Sequence, residues 1–449
     1  MLCKAKSDFG TPMGSARSQK SGNLRSFGIH RQHRFSGVGI GWEQPAVVLR
    51  FAQNDLSLQK KAGEFARFHF AFSNFHFLPF CLLLSAFCFL PSARPADPGA
   101  AEALIEAGHW KRARAIVEPL VAANPRDAQA TWLLSRIKLA FGDLDGALAS
   151  AQQAVALEDG NSDYHFQLAV VYGEMAAGAS MFAAAGLAHK FKGELDASLA
   201  RNPRNLDALE ALMQYSYQAP GAMGGDKGKA RSIADQLVRL SPVHGYLAQA
   251  ELAREAKDEA KVEENLRQAV QADPKNYEAQ TALADFYTKP ARRNTREAEK
   301  HGREALKLYP GRAKAYAILA VVLALDRRWD ELEAILSASE KAVPDDLAAY
   351  LRSANVLLET GVELQRGESY MRKYLGQEAE GEEPDAAHAH RLLGLILEKE
   401  GRNQQAISEL ETAVQMNPRF KEAKEDLKRV KAASQRGWLA YPVFARRRK

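Results

Sequence analysis

A recurring spacing of about 34 residues is the feature that most restricts how this chain can fold. The segment AGHWKRARAIVEPLVAANPRD, residues 107–127, aligns at a shift of 34 with FGDLDGALASAQQAVALEDGN, residues 141–161. A chain that keeps such a period is built from equivalent units, none of which is stable without its neighbours. The proline that ends the first of these segments recurs at matching places along the chain, namely Pro125, Pro203, Pro242, Pro274, Pro310, Pro344 and Pro418.

Each unit has the pattern of two amphipathic helices joined by a short turn, because its apolar residues recur at helical spacing and do not alternate. The proline ends the unit, since it cannot continue a helix and restricts the residue before it. One helix pair cannot bury its own apolar face, so neighbouring pairs must stack into a solenoid. A small residue in the second helix allows the two helices to approach closely, at Ala113, Ala147, Ala230, Ala298 and Ala406.

These residues resemble the tetratricopeptide repeat (TPR) family. HRLLGLILEKEGRNQQAISELETAVQMNP, residues 390–418, is close to the family consensus. The resemblance covers about residues 98–420 in nine units, followed by a polar capping helix at 421–434, and it implies an all-α fold, a right-handed α-solenoid of helix-turn-helix repeats. Three positions depart from the pattern: Asp159 replaces proline, and Val262 and Leu332 replace the small residue.

The resemblance also implies a binding surface, since ligands of the family lie against the first helix of each unit. We therefore predict a groove that binds a peptide or protein, with aromatic and mixed polar side chains. The family's clamp for carboxylate tails is not expected, because Leu351 stands where the clamp requires Lys before Asn355. The residues at the family's ligand positions are Gln129, Trp132, Arg136, Phe166, Gln214, Tyr217, Asp285, Asn355, Arg391 and Glu398.

Two insertions lengthen units beyond the period. APGAMGGDKGKA, residues 219–230, has glycines before Gly-Lys, but Met223 stands where a phosphate loop requires its first glycine and Ala230 replaces the hydroxyl residue. We predict a long turn that projects at the edge of the solenoid. The other insertion, within residues 174–198, is rich in Ala, Gly and Met; it is expected to pack in the core or, alternatively, to cross the concave face.

The first 96 residues differ from the rest. Lys and Arg outnumber Asp and Glu there by twelve to four, whereas the remainder has 49 against 51, which gives no support for nucleic-acid binding. All three cysteines, Cys3, Cys81 and Cys88, also lie there. The apolar run within residues 75–96 is typical of a secretory signal. A retained membrane anchor and a buried helix are the alternatives. We expect residues 1–74 to be a basic, disordered extension or the product of a start site assigned too far upstream.

The boundaries predicted from these features are a solenoid with its cap at 97–434 and a basic, aromatic tail at 435–449. The acidic run at 378–387 is expected to be a solvated loop. The sequence contains no catalytic constellation, cofactor fingerprint or metal-ligand spacing, so it favours a non-catalytic scaffold that binds a protein or peptide partner. The signal-like run at 75–96 predicts that this scaffold is periplasmic or secreted. The alternatives are a self-associating solenoid, which makes a homo-oligomer possible, and an enzyme with a site in the insertions. Membrane contact is expected only through residues 75–96, if they are not removed.

Overall fold

The computed structural model describes residues 97–381 and 386–439. The predicted extension and signal segment, residues 1–96, lie outside the described residues, as does most of the predicted tail. Within the described part the chain is an all-α solenoid without strands. No helix in that part is both long enough and apolar enough to span a membrane.

Within residues 97–381 and 386–439, nine pairs of helices follow one another, and one more helix comes after them. The first helices of the pairs are α1 (Pro98–Ala107), α3 (Ala128–Ala140), α5 (Ser162–Gly178), α7 (Leu206–Gln218), α9 (Pro242–Glu255), α11 (Tyr277–Phe286), α13 (Ala313–Leu325), α15 (Ala348–Thr360) and α17 (Ala386–Lys399). The second helices are α2 (Trp110–Ala123), α4 (Leu144–Leu157), α6 (Met181–Arg201), α8 (Lys227–Leu240), α10 (Glu259–Ala272), α12 (Thr295–Leu308), α14 (Trp329–Ala342), α16 (Leu364–Leu375) and α18 (Asn403–Met416).

The last helix, α19 (Lys421–Leu439), is five residues longer than the predicted capping helix, which ended at residue 434. It packs on α18, where Val430 is fully buried. The helix therefore extends into the segment that was predicted to be a separate tail.

After three of the unit-ending prolines, Pro125, Pro203 and Pro274, a capping side chain begins the next helix. Asp127, Asn205 and Asn276 each accept a hydrogen bond from the backbone N–H three residues later, at 2.9, 3.0 and 2.9 Å. Such caps satisfy amides that have no partner inside the helix and contribute about 1 kcal/mol each. At these three joins the proline ends one unit and a short polar side chain two residues later begins the next, whereas Pro242 is itself the first residue of α9.

The small residues lie where two helices approach most closely. Ala113, Ala147 and Ala406 are fully buried. At Ala147 the approach is close enough for Ser135 Oγ on α3 to donate to the Ala147 carbonyl oxygen at 2.9 Å. Val262 occupies the same place in its unit and is also fully buried, in a cluster with alanines of α9. A larger residue is thus accommodated where the first helix offers small ones.

The insertion in the third unit lengthens both helices. α5 has 17 residues and α6 has 21, against 14 in most second helices. The part of α6 that packs on the solenoid buries Ala188, Phe191 and Leu195, whereas Phe182 near its start is 87% exposed. The prediction of core packing is therefore correct for the end of α6 and wrong for its beginning, because that turn extends past the helices of the neighbouring units.

The loop at 219–230 is folded back onto α7 and does not project. Asp226 N donates to the Ser216 carbonyl oxygen at 2.7 Å, and Tyr215 Oη donates to the Met223 carbonyl oxygen at 2.5 Å. The carboxylate of Asp226 accepts from the amides of Gly228 and Lys229 at 2.8 and 3.0 Å. The amides at the start of α8, which a phosphate loop would offer to its ligand, are thus already used.

The array curves until its first pair meets the segments that lead into α13, α15 and α17. Lys111, at the start of α2, contacts residues that lie between 234 and 269 positions later in the chain. Its ammonium donates to the carbonyl oxygens of Asp345 and Glu378, both at 2.7 Å, and lies 3.3 Å from Glu380 Oε2. Its backbone N–H donates to Glu380 Oε1 at 2.8 Å. We call this set of contacts the closure.

Other contacts support the closure. Arg114 and Glu378 form an ion pair at 2.8 Å, and Arg112 pairs with Asp345. Arg312 donates to the Glu106 carbonyl oxygen at 2.8 Å. Gly381 has a φ of 87°, and a side chain there would approach the Ala140 carbonyl oxygen to 3.2 Å. The prediction of a solvated acidic loop is therefore wrong for its first residues, which are docked on α2; residues 382–385 lie outside the described part.

Candidate partner-binding groove

The first helices form the inner face of the array. Ten of the thirteen residues of α13 are buried, whereas α14 buries three of fourteen. Helices on the inside of a curved array have neighbours on most sides, and those on the outside bury one stripe. The inner face is therefore the surface of α1, α3, α5 and the following first helices. We call it the groove.

At the beginning of the groove, the predicted residues contact one another and α1. Arg136 is 7% exposed and donates to Glu106 Oε1 at 2.9 Å. Its guanidinium lies 5.0 Å from the ring centre of Trp132, which packs on Tyr164. Gln129 donates to Glu102 Oε2 at 3.1 Å. These side chains hold the first two pairs together.

In the middle of the groove, Gln214 has an unused acceptor. It is 8% exposed, and its Nε2 donates to Glu210 Oε1 over a long 3.4 Å. Its Oε1 is buried without a hydrogen-bond partner among the described residues. Phe166 is buried in the neighbouring hydrophobic cluster, and Tyr217 is half-buried with Lys227 Nζ 4.7 Å from its ring centre. The structure therefore brings Gln214 and Tyr217 together, whereas Phe166 is part of the hydrophobic core.

A shallow cleft between α7 and α9 contains two of these predicted residues. Its lining consists of Gln214, Tyr217, Gln218, Glu251, Leu252 and Glu255. A second cleft, between α5 and α7, shares Gln214 and Gln218 with it. The two amide side chains thus lie where the clefts meet, and both offer donors and acceptors.

Glu210 was not among the predicted residues, although it lies one turn before Gln214 on α7. Burial, with a smaller contribution from the charge of Asp207, raises the pKa of Glu210 to about 8. At pH 7 its carboxyl group keeps its proton and acts as a hydrogen-bond donor. The acceptor of Gln214 and the donor of Glu210 therefore lie side by side in the groove.

Asp285 lies farther along the groove and is 4% exposed. Arg352 donates to its Oδ1 at 2.6 Å, and Lys289 Nζ lies 3.0 Å from its Oδ2. These charges hold the pKa of Asp285 below its usual range, although burial alone would raise it. The sequence analysis predicted Asp285 but neither Arg352 nor Lys289. It also missed Lys314, which lies nearby. Lys314 is at the second position of its unit, where the family also binds ligands, and that position could have identified it.

The predicted residues near the end of the groove are used within the chain. Arg391 Nε donates to Asp426 Oδ2 of α19 at 2.7 Å, and Glu398 pairs with Arg429 of the same helix. Asn355 donates to Glu359 at 2.7 Å. α19 thus takes the place that a further unit would have, and the free part of the groove lies before it.

Nothing in the described part of the chain suggests a metal centre: no group of three or more His, Cys, Asp or Glu is placed to hold an ion. His390 donates or accepts a hydrogen bond with Glu409 at 2.7 Å, and His388 stacks on Phe420. Both histidines therefore take part in contacts between helices.

Comparison with known proteins identifies the repeats. Residues 99–164 and 363–419 match the tetratricopeptide repeat family model. A comparison with curated proteins gave no match.

Several solved structures resemble the chain. A thermophilic TPR protein from Thermus thermophilus is 16% identical, over 42% of this chain and 99% of that one, with a TM-score of 0.35. A tetratricopeptide repeat protein from Parabacteroides merdae is 17% identical, over 68% and 98%, with a TM-score of 0.37. Yeast Tom70 is 13% identical, over 78% and 84%, with a TM-score of 0.44.

The matched segments cover α1 to the start of α5 and α16 to α18, and the helix pairs between them repeat the same architecture. Both ends of the described array therefore consist of tetratricopeptide repeats.

Proposed function

We propose that this protein is a non-catalytic scaffold that binds an extended segment of a partner protein in the groove, across α5, α7 and α9. Tetratricopeptide repeats generally serve as scaffolds for protein interaction. The proposal adds that the partner binds across α5, α7 and α9. The observation that carries it is the buried Gln214 Oε1, which has no hydrogen-bond partner among the described residues. A buried polar atom without a partner costs about 1–3 kcal/mol, which a bound peptide N–H would recover.

The surroundings of Gln214 suit a peptide backbone. An extended segment presents N–H and C=O groups alternately, and the amide of Gln214, the amide of Gln218 and the protonated carboxyl of Glu210 supply both kinds of partner. Tyr217 adds an apolar ring with a polar tip, a side chain that is common at protein interfaces. The clefts are shallow, as is expected for a site that takes a chain and not a compact small molecule.

Site-specific photocrosslinking tests this proposal. A photoreactive amino acid at Tyr217 should capture one defined partner from the native cells, whereas the same amino acid at the exposed Ser232 of α8 should not. Gln214→Ala should weaken the purified complex up to about tenfold, since one hydrogen bond is lost. Capture from Ser232 as strong as from Tyr217, or an unchanged affinity of Gln214→Ala, would place the binding surface elsewhere.

Export is a second part of the proposal and rests on the apolar run at 75–96 with small residues after it. N-terminal sequencing of the protein from its native cells tests it. A mature chain that begins close to residue 97 agrees with export through a cleaved signal, and a mature chain that retains residues 1–60 contradicts it.

A further inference from the structure

The basic side chains around Asp285 outnumber the carboxylates available to them. Arg352 on α15 and Lys289 after α11 both contact Asp285, at 2.6 and 3.0 Å. Arg352 and Asp285 belong to units that are separated by a whole unit, so the ion pair crosses α13. Lys314, the second residue of α13, is a third cation nearby, since the charges of Asp285, Arg352 and Lys289 all act on it.

The neighbouring carboxylates are already engaged. Glu278 accepts from Arg312 Nη1 at 2.8 Å and lies 3.9 Å from Lys314 Nζ. This is the nearest carboxylate to Lys314 among the described residues, and the distance exceeds that of a hydrogen bond. Glu251 pairs with Arg254 of the same helix. Four cations, Arg312, Lys314, Lys289 and Arg352, therefore share the two carboxylates of Glu278 and Asp285.

Burial makes this imbalance costly. The side chains of Asp285, Arg352 and Lys314 are 6%, 10% and 12% exposed. Arg352 Nε is buried without a hydrogen-bond partner in the described part of the chain. Buried charges in proteins are normally paired, because leaving water is otherwise unfavourable. Arg352 and Lys289 are the partners of Asp285, whereas Lys314 has only Glu278, 3.9 Å away and already bonded to Arg312.

Burial also lowers the pKa of Lys314, and the charges of Arg352 and Lys289 add to this effect, while Glu278 and Asp285 oppose it. Exposure then increases outward, from 12% at Lys314 to 25% at Lys289 and 46% at Arg254 of α9. Arg254 pairs with Glu251, which lines the cleft beside Gln214 and Tyr217. The basic cluster is therefore continuous with the proposed peptide site.

We propose that Lys314, Lys289 and Arg352 form an anion subsite of the groove, which binds a carboxylate or phosphate group carried by the partner's bound segment. The proposal rests on the proposed function and adds the chemical class of the partner: an acidic segment. An oxyanion would accept from the ammonium groups of Lys314 and Lys289 and from Arg352, in charge-assisted hydrogen bonds.

Binding of a fluorescent octapeptide of glutamate to the full chain tests the subsite, with an octapeptide of glutamine as the uncharged probe. We expect the glutamate peptide alone to bind. Lys314→Gln should weaken it at least about tenfold, the effect of losing one charge-assisted hydrogen bond. Lys307→Gln is the matched control; the side chain of Lys307, on α12, is exposed, and its replacement should leave the affinity unchanged. Inorganic phosphate that displaces the peptide assigns a site for phosphate groups, and failure to displace it assigns a carboxylate site.

A melting measurement separates a binding role from a structural one. Without ligand, Lys314→Gln should melt no lower than the wild type, because the variant loses a cation that has no close partner. A lower melting temperature, or equal peptide binding by the variant and the wild type, would overturn the anion subsite. Absence of binding by both the glutamate peptide and phosphate would overturn it as well. Capture from Tyr217 would still support the groove in each case, so the two proposals fail separately.

Discussion

Glu380 shows how one carboxyl group can make the stability of the whole array depend on pH. Its side chain is 3% exposed, and burial raises its pKa to about 7 even though Lys111 opposes the shift; the charge of Asp346 adds to it. In the unfolded chain the same group ionises near its ordinary value of 4.5. The unfolded state therefore releases this proton first, and folding loses stability as the pH rises between these two values.

Glu380→Gln should remove this dependence. The unfolding free energy of the variant, relative to that of the wild type, should rise between pH 4.5 and about 7 with a slope of up to about 1.4 kcal/mol per pH unit, and should stay constant above pH 7. Denaturant unfolding at a series of pH values measures this difference. Glu118→Gln, on the exposed side of α2, is the control. Parallel profiles for the wild type and Glu380→Gln would show that Glu380 is ionised in the folded protein throughout.

The groove residues around Asp285 could be predicted only in part from the sequence. The family register places Asp285 on the first helix of its unit, and the structure buries it there. The same register selects Asn355 on α15, whereas the residue that reaches Asp285 is Arg352, one turn earlier. The register gives the helix face, but the partner of a long side chain depends on how strongly the units curve.

Among the helices, the close contact of α3 with α4 provides a test of the repeat register. Ala147 is fully buried, and its carbonyl oxygen accepts from Ser135. Ala147→Leu should push the two helices apart and destabilise the protein by roughly 1–3 kcal/mol. Ala149→Leu, two residues later on the exposed side of α4, adds the same atoms without this contact. Denaturant unfolding of both variants measures the effect, and equal stability of the two would mean that Ala147 is not the contact residue.

The helix pairs could be predicted from the sequence because each depends on local information. The prolines and the capping residues after them, such as Asp127 and Asn276, set the boundaries, and the apolar spacing sets the buried faces. The positions of the two inserted segments relative to the core could not be predicted. Whether an Ala-rich segment packs in the core or extends a helix past it depends on how far the neighbouring helices reach, as the exposed Phe182 illustrates.

At the scale of the whole molecule, the closure could not be predicted at all. Lys111 and Glu380 are 269 residues apart, and they meet only because small rotations between successive units add up to bring the first pair back. An error of a few degrees per unit would separate them. Glu378 and Glu380, which the sequence assigned to a solvated loop, are therefore docked on α2.

Lys111 is the residue on which the closure depends most. Arg114 and Glu378 are partly exposed, and ion pairs of this kind contribute at most about 1 kcal/mol. Lys111 is 18% exposed and serves two carbonyl oxygens and the buried Glu380 at once. Lys111→Met keeps most of the side-chain volume but leaves these acceptors without their donor, which costs about 1–3 kcal/mol for each buried group.

We therefore expect Lys111→Met to open the array while its helix pairs stay folded. Small-angle scattering should give a larger radius of gyration for the variant than for the wild type. Hydrogen exchange should become faster in α1, α2 and residues 376–381, and should stay unchanged in α11 to α14, because stability within a repeat array is held locally by neighbouring units. Lys229→Met, at an exposed position of α8, is the control. Unchanged exchange in α1 and α2 would mean that the contact of Arg312 with Glu106 and the packing of Gly381 hold the first pair without Lys111.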